Sequence, residues 1–460
     1  MPSKNIKDFL YVLSGQGIGM AVSIVRSLIL PLYLTVLDFG YLQSYLFYIS
    51  LIPIITIGYN DGIYLRYGKF RYEKLPFSLL ASSNSYFTIM LIVFSILISV
   101  ISTLFVDDCR LRNVIYFSCL YGVFYSLNTL VLQIYQVTQK FYEYTVFSLL
   151  PRIISLIGVI SLLAMGFYNS LYLIVVDLIA FIALTLVLMV REKRLFVGNR
   201  QSTGGFAEFL NDIVAGFPLL IAGLIGILYF GAGRFIVQVF GGIEEFAVFS
   251  FALSIASFVS VAISAVSTIV YPMIARYSIN QMRETYWQIN NYLKVFIIAI
   301  IPIYCIAKIV VLIMYPGYSD VLEYLSIVIA MTYLQSYIYV LHNTYYKTLR
   351  LEKKLLTDNI VSIMCLFILG VPVFYFTSNI IVIPIVTLVA LLLRYYISCV
   401  RLSKTMKIES IYNYGELLFL LLFILSSLMQ VLIYEMITMF TLTILYVTIN
   451  YNNIKALIKK

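Results

Sequence analysis

Five of the charged residues inside long apolar stretches of the sequence are candidates for a functional site: Arg26, Asp177, Arg234, Lys308 and Arg394. A charge at the centre of a membrane helix costs about 2.5 to 3.5 kcal/mol on insertion scales, so its side chain should face protein or water. Arg26 lies about ten residues, or roughly 15 Å, from the outer end of its apolar run, too far for easy contact with the interface. We therefore expect Arg26 to line a polar cavity.

Each of the other basic residues has two interpretations. Arg234 lies close to Phe240, where its run ends, so it either reaches outward to the interface or lines the same cavity as Arg26. Lys308 shares one helix face with Lys294, and the deeper Lys308 is the better cavity residue. Arg394 lies near the inner third of its run and is assigned to the cavity as well.

Carboxylates are scarce in these runs. Asp177 is the one acid well inside a run, while Asp61 and Asp358 lie nearer the inner edges. A cavity lined by these residues would be net positive, which makes cations poor ligands and anions good ones. Asp177 either forms an ion pair with one of the basic residues or serves as a coupling site for protons or sodium.

The composition places the chain in the membrane class. Of its 460 residues, 62% are hydrophobic and 11% are charged, and the mean hydropathy is +0.98. Apolar windows predict an all-α protein with about fourteen transmembrane helices. The last two spans, near 416–434 and 436–452, are barely separated and could instead form a re-entrant pair.

Motifs of an enzyme are missing from the sequence. It contains no glycine-rich phosphate loop, nucleophile motif or paired carboxylates, and the spans leave no room for a soluble catalytic domain. The five cysteines show no CxxC spacing and there is one histidine, so no metal site or disulfide frame is predicted. We expect a protein that is not an enzyme and that needs no cofactor.

The distribution of Lys and Arg predicts the topology. With both termini cytoplasmic, most of the 31 basic residues fall on the inner side, including Lys140 and Arg152 between the fourth and fifth spans. The outer loops hold only Arg110 and Arg112. This bias supports an even number of spans. It also accounts for most of the net charge of +10 without a nucleic-acid partner.

A weak internal repeat predicts two lobes of six helices. Arg26 is followed by Asp38-Phe39-Gly40-Tyr41, and Arg234 by Glu245-Phe246-Ala247-Val248. The predicted division is a first lobe at 1–190, a cytoplasmic linker at 191–212, a second lobe at 213–407, and an extra helix pair with a cytoplasmic tail at 408–460. Prolines within spans mark possible kinks, and those assigned as hinges are Pro31, Pro218 and Pro302.

Two regions resemble the polysaccharide transporter family of Wzx-type lipid-linked oligosaccharide flippases. The first contains LSGQGIG, the turn Asp38-Phe39-Gly40-Tyr41 and GYNDGIYLRYGK. The second contains GFPLLIAGLIG, GAGRFIVQVFG, VFSFALS and VSTIVYPMIARY. The resemblance covers the whole chain in layout, although only these two regions carry recognisable residues.

The resemblance implies a fold like that of multidrug and toxin extruders and lipid II flippases, with two lobes around a V-shaped central cavity. It implies a bacterial inner-membrane protein that moves oligosaccharide repeat units on undecaprenyl diphosphate outward by alternating access, for O-antigen, capsule or related polysaccharides. Arg26, Arg234, Lys308 and Arg394 would hold the diphosphate, which agrees with the positive cavity expected above. Membrane lipids, a polysaccharide polymerase and a chain-length regulator are the candidate partners.

Two other functions remain open on the residues. A cation-coupled multidrug exporter would share the fold but should carry a deep acid, and only Asp177 qualifies. A membrane-embedded polysaccharide polymerase or ligase would also be polytopic and basic. Such an enzyme usually has a large outer loop, whereas the outer loops predicted here are short.

Overall fold

The computed structural model describes residues 4–68, 70–197, 204–274, 277–408, 413–429 and 431–450. Within these ranges the side chains of 4–14, 16, 20, 222–230, 261–273 and 432 lie outside the description. All regular structure in the described ranges is helical, with no strand. The chain forms two compact units, Met1–Leu228 and Tyr229–Lys460, and the boundary between them falls inside a helix. The predicted division into lobes, linker and extra pair stays a prediction.

The first unit is built from eight helices and the beginning of a ninth. They are α1 (Lys4–Tyr33), α2 (Val36–Ser50), α3 (Ile52–Ile55), α4 (Tyr59–Tyr67), α5 (Phe77–Phe105), α6 (Cys109–Val137), α7 (Phe141–Ala164), α8 (Ser170–Arg191) and α9 (Gly205–Phe240). Short 3₁₀ turns lie at Tyr72–Lys74 and Lys193–Leu195. Side chains of Thr35, Asp108 and Asn169 accept hydrogen bonds from the first turns of α2, α6 and α8, so polar caps fix three of the helix starts.

The second unit contains the end of α9 and nine further helices. They are α10 (Ile243–Ile274), α11 (Ile279–Ile298), α12 (Ile300–Met314), α13 (Leu325–Tyr337), α14 (Thr344–Thr348), α15 (Glu352–Thr377), α16 (Val382–Met406), α17 (Tyr414–Ser427) and α18 (Leu432–Ile449). A 3₁₀ segment covers Pro316–Glu323, and a π-helical turn covers Ile338–Asn343. Helix α13 is almost wholly buried and is the central helix of this unit.

The helices confirm a multi-pass membrane protein. In the part of the chain that the structure describes, nine helices are long and apolar enough to cross a membrane, and a bent pair makes up to ten. The bent pair is Val36–Ile55 with Tyr59–Tyr67, which meet at 55°. Ile57 and Gly58 between them both have positive φ, so the bend comes from a left-handed turn of the backbone. The number fourteen stays a prediction.

The three prolines assigned as hinges lie in different settings. Pro31 lies in α1 close to its end, and Pro218 lies inside α9. Pro302 lies in the first turn of α12, where a missing N–H is tolerated, and the break between α11 and α12 precedes it at Ala299. Whether any of them acts as a hinge stays a prediction.

The position predicted for Arg152 was wrong. The sequence placed it on the inner side, between two spans, but it lies in the middle of α7, which runs from Phe141 to Ala164. The error arose because Arg152 was counted with the inner basic residues although it lies inside the apolar run near 146–166. Arg152 is therefore a further charged residue inside a span.

Candidate functional site

Arg26 is the centre of a buried polar cluster in the first unit. Its Nη1 donates to Asp177 Oδ1 at 2.9 Å and to Ser155 Oγ at 3.4 Å. Ser155 also donates to Asp177 Oδ1, and Tyr45 OH donates to Asp177 Oδ2 at 3.1 Å. The four side chains come from α1, α7, α8 and α2, so a single carboxylate holds four helices together.

The guanidinium of Arg26 is only partly satisfied. Its side chain is 15% exposed, and its Nε and Nη2 are buried without a hydrogen-bond acceptor among the described residues. A buried donor left without an acceptor costs about 1 to 3 kcal/mol, and more when it is charged. Two nitrogens of Arg26, which carry three N–H donors, are therefore left for an acceptor such as water or the oxygen of an anionic ligand.

Arg234 occupies a comparable position in the second unit. It precedes the end of α9 at Phe240, as Arg26 precedes the end of α1 at Tyr33. The helix that follows has an acid in its first turn in both cases, and the next residue, Phe39 or Phe246, is buried. This local similarity supports the sequence repeat.

The contacts of Arg234 differ from those of Arg26. Its Nε donates to Ser250 Oγ at 3.3 Å, and the guanidinium lies 5.6 Å from the centre of the Phe246 ring. A hydroxyl and an aromatic face stabilise a guanidinium without carrying a negative charge. These two contacts therefore differ in kind from the ion pair that Arg26 forms.

Lys308 forms an ion pair with Glu435, an acid that lies between the last two predicted spans. Its Nζ donates to Glu435 Oε2, and Tyr304 OH donates to Oε1 of the same carboxylate at 2.8 Å. Glu435 lies in the first turn of α18 and is 1% exposed. Lys294 on α11 similarly contacts Glu416 on α17 at 3.0 Å. The two lysines thus connect the α11–α12 segment to the last two helices.

Arg394 is fully buried within the second unit. Its Nε donates to Asn359 at 2.7 Å, its Nη2 to Asn343 at 3.1 Å, and its Nη1 to Ser398. Nη1 also lies 3.6 Å from a carboxylate oxygen of Asp358. Every nitrogen of the guanidinium has a partner, so Arg394 ties α16 to α15 in this structure.

Three of the predicted cavity cations, Arg26, Lys308 and Arg394, form ion pairs here. Arg26 and Asp177 lie together in the first unit, while Arg234, Lys308 and Arg394 lie in the second with separate partners. The ion-pair interpretation of Asp177 describes its contact with Arg26. The roles of all five residues in binding or coupling stay predictions.

A further charged cluster joins the beginning of α9 to α4. Arg66 contacts Glu208 at 2.9 Å and also pairs with Asp212. Asp212 lies in the predicted cytoplasmic linker, and burial raises its pKa to about 7 although Arg66 acts in the opposite direction. Deprotonation of Asp212 would make the cluster of these three residues net negative above that pH.

The chain was compared with known proteins by sequence and by fold. No family model matches the sequence, and no curated protein matches it as a relative. The structure is similar to that of lipid II flippase MurJ in an inward-closed conformation, with a TM-score of 0.67 and 14% identity over 97% of this chain and 99% of MurJ. This chain has the fold of MurJ.

Transporters of the MATE family share this fold. An outward-facing multidrug resistance MATE transporter of the MOP superfamily superposes with a TM-score of 0.54 and 15% identity, over 87% of this chain and 96% of that one. An inward-facing MATE transporter gives 0.56 and 15%, over 85% and 99%. The likeness to the fold of MurJ and MATE transporters that the resemblance implied is confirmed, whereas the two lobes around a central cavity and the Wzx-type specificity stay predictions.

Proposed function

We propose that this protein is a flippase that moves undecaprenyl-diphosphate-linked oligosaccharide units from the inner to the outer leaflet of a bacterial cytoplasmic membrane. The observation that supports this most is Arg26, a buried guanidinium with two nitrogens that lack an acceptor among the described residues. A diphosphate supplies anionic oxygens, and Arg binds them through charge-assisted hydrogen bonds. The likeness to MurJ, a lipid II flippase, adds a fold that carries a lipid-linked substrate in that protein.

The proposed cycle is alternating access. The headgroup enters from the inner leaflet while the polyprenyl chain stays in lipid, and the protein then opens to the outer side. Transfer of two negative charges outward across an inside-negative membrane is favourable by about 2.3 kcal/mol per charge per 100 mV. The membrane potential can therefore assist transport, and coupling to protons or sodium is a second possible source of energy.

The proposal sets roles for the remaining cations. Arg234 is the second phosphate contact, because its place before the end of α9 corresponds to that of Arg26 before the end of α1. Lys308 and Arg394 would have to exchange their acid partners Glu435 and Asp358 for the substrate. The product would feed O-antigen, capsule or a related polysaccharide, with a polymerase and a chain-length regulator as partners.

A cation-coupled multidrug exporter is the second candidate, since MATE transporters share the fold. Such a protein needs a carboxylate that is free to exchange its cation. Asp177 accepts hydrogen bonds from Arg26, Ser155 and Tyr45, which together satisfy both of its oxygens. Because Asp177 is already bonded in this way, it is not free to exchange a cation, and its contacts therefore favour a flippase over a cation-coupled exporter.

Complementation of a strain that lacks the gene tests the function. We expect the double variant Arg26→Gln/Asp177→Asn to abolish surface polysaccharide although the protein inserts normally, because both charges of the pair are removed together. Arg71→Gln, an exposed basic residue outside the helices, is the matched control and should retain full polysaccharide. Normal polysaccharide with the double variant, or drug sensitivity of the deletion strain with polysaccharide intact, would refute the proposal.

A further inference from the structure

Arg152 lies in the middle of a span and has no charged partner among the described residues. It is the twelfth residue of the 24-residue helix α7, and none of the described residues forms an ion pair with it. An unpaired guanidinium at the centre of a span is costly unless it faces water or a ligand. Its orientation therefore decides what it can do.

Arg152 lies on the side of α7 that faces protein. Thr145 and Val159, seven residues before and after it, are two turns away on the same face, and both are buried. The opposite side carries the exposed residues that would meet lipid: Ile153, Ile154, Ile157 and Ile160. Yet Arg152 itself is exposed. Arg152 is therefore accessible although it lies on the face of α7 that packs against protein.

The guanidinium lies against α1, the helix that carries Arg26. A Cβ placed on Gly19 would come within 2.6 Å of Arg152 Nη1, so glycine at this position leaves room for the arginine. Gly15, one turn earlier, similarly faces Thr145, and the pair of glycines lets α1 and α7 approach closely. Gly19 and Arg26 are seven residues apart and share one face of α1.

Arg152 and Arg26 are also linked through α7. Ser155, one turn after Arg152, hydrogen-bonds both Arg26 and Asp177. Tyr121 on α6 lies within electrostatic range of both guanidiniums. The two arginines thus lie along the same contact between α1 and α7. The charge of Arg26 is balanced by Asp177, whereas Arg152 has no acid beside it among the described residues.

We propose that Arg152 and Arg26 form a two-arginine oxyanion site on the first unit that takes the phosphoryl groups of a diphosphate headgroup. This proposal rests on the flippase function proposed above. It adds Arg152 as a binding residue and the contact between α1 and α7 as the place where the headgroup binds. Arg152 supplies the net positive charge that the Arg26–Asp177 pair lacks. Arg26 supplies Nε and Nη2, two nitrogens for which the described residues provide no acceptor.

Binding of farnesyl diphosphate to the purified full-length protein, measured by calorimetry, tests the site. We expect Arg152→Gln to weaken binding by roughly tenfold or more, because one charge-assisted contact is lost. Arg152→Lys should lose less affinity, because lysine keeps the positive charge although it lacks the planar guanidinium that can donate two parallel hydrogen bonds. Arg71→Gln is the control for loss of a positive charge elsewhere, and farnesol, which lacks phosphate, is the control ligand.

The possible results distinguish a failure of the role of Arg152 from a failure of the proposed flippase function. If the wild-type protein binds farnesyl diphosphate no better than farnesol, the proposed function fails and the site fails with it. If the wild type binds and Arg152→Gln binds equally well, only the role of Arg152 is refuted. Arg152→Gln should also melt at the wild-type temperature, because it breaks no ion pair in the described part of the chain. A large decrease would mean that Arg152 holds α7 to α1 and would overturn the assignment.

Discussion

At the scale of single residues, the decisive feature is how each buried charge is balanced. Arg26 and Arg394 are both arginines in spans, but Arg26 keeps two nitrogens without an acceptor in the described ranges, whereas all three nitrogens of Arg394 are bonded. A fully bonded guanidinium must give up existing bonds before it can bind a ligand, while an incompletely bonded one is available at once. The bonding of the side chain therefore distinguishes residues that the sequence treats alike.

The ion pair between Arg26 and Asp177 can be measured by a double-mutant cycle. Asp177→Asn should lower the free energy of unfolding by about 3 to 5 kcal/mol, because it leaves the Arg26 charge buried and uncompensated. The double variant Arg26→Gln/Asp177→Asn should recover part of that loss. Thermal unfolding in detergent, with Arg71→Gln as the control, is the measurement. Additive effects of the two single changes would contradict the pairing.

At the scale of helices, glycines determine where two helix backbones can come into contact. Gly62 on α4 faces the backbone carbonyl of Asp212, and Gly216 on α9 faces the carbonyl of Gly58. A Cβ at either position would overlap those backbone atoms, which cannot move aside as a side chain can. The crossing of α4 and α9 therefore depends on glycine, and it places Arg66 beside Glu208 and Asp212.

Alanine at this crossing should be destabilising. We expect Gly62→Ala to cost about 1 to 3 kcal/mol or more through overpacking against Asp212. Gly17→Ala is a matched control, because Gly17 is helical and exposed, and no atom lies within 4 Å of the position that a methyl group would take there. The control should be neutral or stabilising by up to about 1 kcal/mol, since alanine favours helix. Equal melting temperatures for both variants would show that the crossing tolerates a methyl group.

At the scale of the whole molecule, the last two helices belong to the second compact unit and are bound to it by ion pairs. Glu416 on α17 and Glu435 on α18 pair with Lys294 and Lys308, and Phe423 on α17 is fully buried. Two charge pairs fix which residues meet, because any other register would bury four unpaired charges. These ion pairs explain why Lys294 and Lys308 lie on one face of the ninth predicted span.

Removal of the last two helices should therefore destabilise the protein in a specific way. A chain that ends at Ile408 leaves Lys294 and Lys308 without partners, so we expect little folded protein by size-exclusion chromatography. Lys294→Met with Lys308→Met should restore part of the folded fraction of the shortened chain. The same lysine changes in the full-length chain are the control and should be destabilising, because they leave Glu416 and Glu435 unpaired. No rescue of the shortened chain would contradict this explanation.

The sequence by itself determined the class of the protein. Apolar length, the scarcity of acids and the layout of two similar regions predicted an all-helical membrane fold, which the likeness to MurJ and MATE transporters confirms. These properties follow from composition along the chain, because each span must satisfy its own backbone in lipid. Arg26 and Asp177 could be singled out for the same reason.

Only the tertiary structure decided which charges meet. Asp177 pairs with Arg26 across 151 positions of sequence, Lys308 reaches Glu435, and Arg152 has no acid beside it among the described residues. Hydropathy records the cost of a buried charge but not its partner, because the partner comes from another helix whose rotation depends on packing. Arg26 could therefore be recognised from its own apolar run, whereas its balance by Asp177 and the exposure of Arg152 required the fold.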